Sequence, residues 1–234
     1  VNVFLDGAIF TESALPLSFP RALLAEEQPS PARLRHGHEL WSLALGRLTE
    51  ISGAGGGGGL TLAASFVRRA QALGKHALWL TSETKPFYPP DLHANGISLE
   101  RLPLLFLPRP ADASLVATRL LSSGGFDLLV WDLASWKKSP DRLPVALLAR
   151  LGAMARHHRA LVLILTEKEE TKASLGCLVG LRLGVEAQTG DPTMLRVRVL
   201  KDKRGSVGEG KEWTWRCGVP EGLPAAAPLS ARAG

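Results

Sequence analysis

Apolar and polar residues along this chain fall into two alternating rhythms. Residues 47–51 alternate and run into Gly53, the mark of a strand. Residues 60–73 place Leu62, Phe66, Ala70 and Leu73 on one helical face, and Gly74 follows as a stop. The same exchange repeats downstream. Short apolar strands are predicted at 77–80, 104–107, 127–131 and 160–165, with helices at 113–121 and 143–158 between them. Short apolar runs separated by helices predict an α/β fold with a mostly parallel central sheet flanked by helices. After Cys177 the rhythm changes: 179–187, 195–200 and 212–216 alternate without intervening helices. They predict antiparallel strands at the C-terminal edge of the sheet.

The two ends differ from the middle. Residues 1–35 hold one short strand pattern at Val1–Leu5, and Pro16, Pro20, Pro29 and Pro31 exclude a long helix. Residues 218–234 are rich in Pro and Ala. The expected organisation is an N-terminal extension over 1–35, a core over 36–217 and a tail over 218–234. Val3, Phe4, Leu5, Ile9 and Phe10 form an apolar set that either anchors onto a partner or covers the protein's own sheet.

Composition narrows the class. With 234 residues, 45% of them hydrophobic, the chain can bury a core without staples and is not disordered. Two cysteines, Cys177 and Cys217, exclude a disulfide scaffold. The absence of a long uncharged apolar window predicts no transmembrane helix. The opening residues lack a basic region before their apolar stretch, so no signal peptide is expected and the predicted location is the cytoplasm. A net charge of +6 suits either an anionic partner, nucleic acid being the commonest, or a soluble surface with surplus arginine.

The glycine run is the main candidate for chemistry. Strand, glycine loop and helix is the setting in which G-x-x-x-x-G-K-[ST] cradles phosphates. Gly53 and Gly58 frame such a loop, but Gly59 then occupies the lysine position and Leu60 the hydroxyl position. A loop one residue longer makes Thr61 the hydroxyl and Leu60 the lysine position, so no register restores both. The lysine neutralises the outer phosphates and the hydroxyl holds magnesium. Backbone N–H groups could still attract an anion, and a flexible linker reads equally well. Two further residues belong to the same chemistry. Asp132 ends the apolar strand that begins at Phe126, where an acid polarises magnesium-bound water, or simply closes a strand. Glu83 follows the 77–80 strand and could act as a general base.

In this order the pieces resemble the RecA recombinase core over about residues 46–216. Gly46–Ile51 resembles the strand entering that family's P-loop, and Leu80-Thr81-Ser82-Glu83 the strand end carrying its catalytic glutamate. Phe126–Asp132 resembles its Walker B strand. Ala160–Thr166 resembles the strand preceding its γ-phosphate-sensing glutamine, where Glu167 stands here. Leu195–Lys203 resembles the strand whose two lysines, here Lys201 and Lys203, reach a neighbouring subunit's nucleotide. The chain departs from the family in lacking the P-loop lysine and in having short segments where the two DNA loops lie. These losses resemble the ImuA-like, SulA-related non-catalytic RecA homologues. That resemblance implies an accessory protein of the DNA-damage (SOS) response and translesion synthesis. It implies a partner in RecA or a Y-family polymerase homologue, no ATP hydrolysis and no cofactor. A weak or conditional ATPase and a SulA-like cell-division inhibitor are the alternatives.

Two basic clusters suggest weak, non-specific DNA contact. Trp136, Lys137, Lys138 and Arg142 combine an aromatic with three charges, the pattern that grips single strands, or a solvated loop. Lys201 and Lys203, with Arg204 and Lys211 nearby, suit a DNA backbone, a subunit contact or solvent. No metal site is expected, because His157 and His158 have no further ligands at metal spacing.

Overall fold

The computed structural model describes residues 3–5, 8–10, 39–53, 58–82, 89–188 and 191–216. The elements are β1 (Val3–Leu5), β2 (Ala8–Phe10), α1 (39–44), β3 (Leu48–Ser52), α2 (Gly58–Ala72), β4 (Ala77–Ser82), α3 (Pro89–Ala94) and β5 (Leu104–Leu107). They continue with α4 (Pro110–Ser122), β6 (Leu128–Asp132), α5 (Val145–His158), β7 (Leu161–Thr166), β8 (Leu181–Gln188), β9 (Asp191–Asp202) and β10 (Glu212–Arg216). Glu83, most of the glycine run (54–57) and the tail lie outside the described residues, as do the side chains of Val3, Phe4, Leu5, Ile9 and Phe10.

One eight-stranded sheet carries the fold, in the order β10-β9-β8-β3-β7-β6-β4-β5. The apolar runs are continuous because both faces are covered. Along β7, Leu161, Leu163 and Leu165 enter the core layer shared with Leu62, Phe66 and Val67 of α2 and Leu40 and Trp41 of α1. Val162 and Ile164 enter the opposite layer, with Ala113, Ala117 and Leu121 of α4 and Leu148, Leu151 and Ala155 of α5. The α/β class with a mostly parallel sheet and antiparallel edge strands is as the pattern predicts.

Some details differ. β8 pairs parallel with β3, and the antiparallel region begins only with β9. β9 lies inside the sheet between β8 and β10, which is the edge. Leu73, expected on the buried face of α2, is 45% exposed, because the helix ends at Ala72 and the chain has already turned away. α3 has no apolar period to announce it, although Pro at a first helical position suits a helix start. β1 and β2 pair antiparallel as their own two-stranded sheet, Phe4 opposite Ile9.

A buried ion pair ties the entry of the central strand to the far side of the sheet. Arg47 Nη1 bonds Asp202 Oδ1 at 2.7 Å, with the two side chains 4% and 0% exposed. Asp202 also accepts the backbone N–H groups of Arg204 and Val207. Burial opposes ionisation of Asp202, but Arg47 and these N–H donors outweigh it and hold the carboxyl below its ordinary range. Asp202→Asn leaves the Arg47 charge buried without a counter-charge, and should cost about 3 kcal/mol in denaturant unfolding near neutral pH. A depressed folded-state pKa stabilises above the unfolded value and is lost as pH falls through the folded one. The gap between wild type and variant should therefore hold from about pH 5 to 7 and shrink below about pH 4.

Candidate phosphate-loop site and the strand-end network

The carboxyl ends of the parallel strands gather the candidate site. β7 separates β3 from β6, so Ser52 lies beside Thr166, and Leu165 beside Asp132. The glycine run leaves β3 at Gly53, whose N–H bonds the Thr166 carbonyl at 3.1 Å. In open α/β sheets this is the edge where ligands bind. Asp132 is 7% exposed and accepts the Thr81 hydroxyl at 3.2 Å. Next to it the Ser135 hydroxyl accepts the Ser82 N–H and donates to the Asp132 carbonyl, both at 2.8 Å. Asp132 thus sits at the carboxyl end of β6, its carboxylate bonded by the Thr81 hydroxyl and its carbonyl by the Ser135 hydroxyl.

The glycines at the helix start have different reasons to be there. A Cβ on Gly58 would lie 2.9 Å from Val185 Cγ1 and 3.4 Å from Leu195 Cδ2, so α2 approaches β8 and β9 too closely for any side chain. Gly53 is similarly tight, its Cβ position 3.0 Å from the Val185 carbonyl oxygen. Gly59 has room: its nearest neighbour would be Ile51 Cγ2 at 3.7 Å. Leu60 is 45% exposed, while Thr61 is half-buried. The framing glycines thus serve close packing against β8 and β9.

A buried polar network, unforeseen in the sequence, occupies the same edge. Glu50, Arg182 and Lys201 stand in one row across β3, β8 and β9. Glu50 is fully buried, and its Oε1 lies 3.8 Å from Arg182 Nε and 4.0 Å from Lys168 Nζ. It accepts the Thr166 hydroxyl at 3.3 Å and the Leu175 N–H at 2.8 Å. Arg182 Nε donates to Ser52 Oγ at 2.9 Å, Nη2 to the Glu169 carbonyl at 2.9 Å, and Nη1 to the carbonyls of Glu170 and Lys172. Glu170 reaches over Gly184 to Arg198, and a Cβ on Gly184 would lie 2.5 Å from Glu170 Oε1. The segment after β7 is stitched onto the sheet by the sheet's own side chains. The signal for this was a charged residue in the middle of each of two buried strand patterns.

The other predicted residues divide. Trp136, expected to offer a stacking face, is 6% exposed in the core layer of α4 and α5, because the 3₁₀ turn after β6 points it inward. Lys137, Lys138 and Arg142 are exposed. Lys201 and Lys203 part company: Lys201 is half-buried and donates to the Gly176 carbonyl at 3.3 Å, whereas Lys203 is exposed. Burial first, and then the Lys203 charge, holds the Lys201 ammonium below its ordinary range. Glu167 follows β7 directly and is exposed. Among the described residues no group of three His, Cys, Asp or Glu could hold a metal, and no helix is long and apolar enough to cross a membrane.

No protein-family model and no curated protein matches the chain. Among solved structures it is similar to the crystal structure of the RadB recombinase, at 20% identity and a TM-score of 0.59, over 76% of this chain and 92% of that one. At that identity the likeness shows the fold, which is that of a RecA-like recombinase core.

Two expectations follow. Gly58→Ala should destabilise by about 1–3 kcal/mol through overpacking against Val185, whereas Gly59→Ala should be neutral or stabilise by up to about 1 kcal/mol. Equal effects in thermal unfolding would contradict the division of roles. Arg182→Met strips the carbonyls of 169–172 of their donor and leaves Glu50 buried with fewer counter-charges. It should cost about 3 kcal/mol and speed amide hydrogen exchange across 167–176 more than in α5; uniform exchange changes would show that Arg182 does not hold this segment.

Proposed function

We propose that the chain is a non-catalytic RecA-like accessory protein of the DNA-damage response, akin to the ImuA-like, SulA-related homologues. It works by binding RecA or a Y-family polymerase homologue, with DNA held weakly. The observation that carries this reading is the start of α2. Gly59 and Leu60 stand where a phosphate-neutralising lysine and a magnesium-binding hydroxyl are needed, and Leu60 is 45% exposed. Without that charge, residues 58–61 at the start of α2 offer a triphosphate backbone N–H groups and the Thr61 hydroxyl but no lysine. The rest of the framework, Asp132 included, keeps its place because it also packs the sheet.

A fold that no longer turns over nucleotide still offers edges. Among the described residues β5 is the outer strand beside β4, paired on one side only, and Pro108 follows its sequence Leu-Leu-Phe-Leu. Phe106 on it is 47% exposed, and Leu115 on the neighbouring α4 is 54% exposed. Unpaired backbone beside apolar side chains is what a protein partner adds a strand to. The β10 edge is less apolar, opening with Glu212 and closing with Arg216.

Purified protein is expected to show no magnesium-dependent ATP turnover above background, and to bind its protein partner equally well with and without ATP. Robust turnover that Asp132→Ala abolishes would overturn the non-catalytic reading.

A further inference from the structure

The opposite end of the sheet, where the parallel strands begin, carries a concentration of positive charge that the phosphate-loop chemistry does not use. Its centre is Gly46. The Gly46 N–H bonds the Ala160 carbonyl at 3.1 Å, which places Arg159 next to it. A Cβ on Gly46 would lie 3.8 Å from the Arg156 Cα and 4.0 Å from Arg204 Nη2. Arg204 Nη1 reaches the Leu45 carbonyl at 3.4 Å, and Lys203, one residue before it, bonds through its N–H to the Gly180 carbonyl at 3.0 Å. Arg156, Arg159, Lys203 and Arg204 are all exposed. Among the described residues, none of the four is in an ion pair with a carboxylate. The nearby acid, Asp202, is already neutralised by Arg47.

Helix electrostatics explain only part of this. Basic residues favour the negative end of a helix, which accounts for Arg156 and His157 in the last turn of α5. It does not account for Lys203 and Arg204, which come from the turn after β9 and meet α5 only through the fold. Nor does it account for Arg159. That residue closes α5 at φ 52°, the only positive-φ residue other than glycine among the described residues. Glycine is the least strained residue there, and strained positions gather at functional sites. Burial first, and then the charges of Arg47 and Arg156, outweigh the Asp202 carboxylate and lower the Arg204 pKa. Two separate elements bring like charges together at a cost that an anionic partner would relieve.

We propose that Arg156, Arg159, Lys203 and Arg204 form a contact surface for the phosphodiester backbone of a nucleic acid, at the end of the sheet away from the glycine loop. The partner is a polyanion, because the four residues present charge and hydrogen-bond donors without an aromatic among them, the pattern of backbone contact and not of base reading. The surface rests on the accessory reading for its weak DNA contact but not for the absence of ATP turnover, so the salt slopes below and the turnover assay fail separately.

The test measures fluorescence anisotropy of labelled 20-nucleotide single-stranded DNA, duplex DNA and RNA of the same sequence, from 50 to 200 mM salt. Replacing all four residues (R156Q, R159Q, K203Q, R204Q) should lower the slope of log K against log salt by about 3 on single strands, since each phosphate contact contributes about 0.7. The three probes decide which nucleic acid is preferred. Arg159→Gly is the second variant. It relieves the left-handed strain, so Tm should rise while the salt slope falls by about 0.7; a misfolded protein cannot give that combination. An unchanged slope in the fourfold variant, or an Arg159→Gly protein with higher Tm and unaltered binding, would overturn the proposal. So would displacement of the DNA by polyglutamate at equal charge concentration, which would assign the surface to acidic protein instead.

Discussion

A carboxylate in the middle of the central strand sets the terms for one whole end of this molecule. Glu50 is fully buried in β3, and a buried ionised group survives only if it is paired and fully hydrogen-bonded. The chain meets that demand from three directions: Arg182 across the strand pair, Lys168 from the segment after β7, and the Leu175 N–H further along it. Arg182 in turn has donors left over, and they go to the carbonyls of 169–172. One charge thus recruits a second, and the second fixes a loop.

That arrangement changes what the strand-end region can do. In a nucleotide-driven machine the segment beyond β7 has to answer to the state of the phosphate loop. Here its position is fixed by side chains of β3 and β8. The same strand ends keep Asp132 among hydroxyls and Gly58 against Val185.

The sheet was legible because burial on both faces writes an unmistakable apolar run, as at Leu161–Thr166, and because glycines mark where helices such as α2 and α4 stop. Pattern could not show that β8 runs parallel to β3, since alternation is the same in either direction and only the segment before it decides. Trp136 misled for a related reason. An aromatic beside lysines reads as a surface recipe, yet a 3₁₀ turn of three residues suffices to direct it into the core. Lys201 and Lys203, two apart in the sequence, look equivalent until β9 ends between them at Asp202 and the Gly176 carbonyl claims Lys201. Glu50 and Arg182 were visible as letters, but their pairing is a fact of strand order.

Strand order also governs how the molecule can be assembled. β3 is made early but lies between β7 and β8, its partners at Leu163 and Leu181 more than a hundred positions downstream of Thr49. β4, β5 and β6 can pair among themselves sooner. On a ribosome, the β4–β6 half can form while β3 waits for late-emerging neighbours, with the face of α2 still uncovered. Such long-range parallel pairing is slow to nucleate and exposes apolar surface meanwhile. The strand that leads into the glycine loop is thus enclosed only after β7 and β8 have been made, so synthesis interrupted before them leaves that end uncovered.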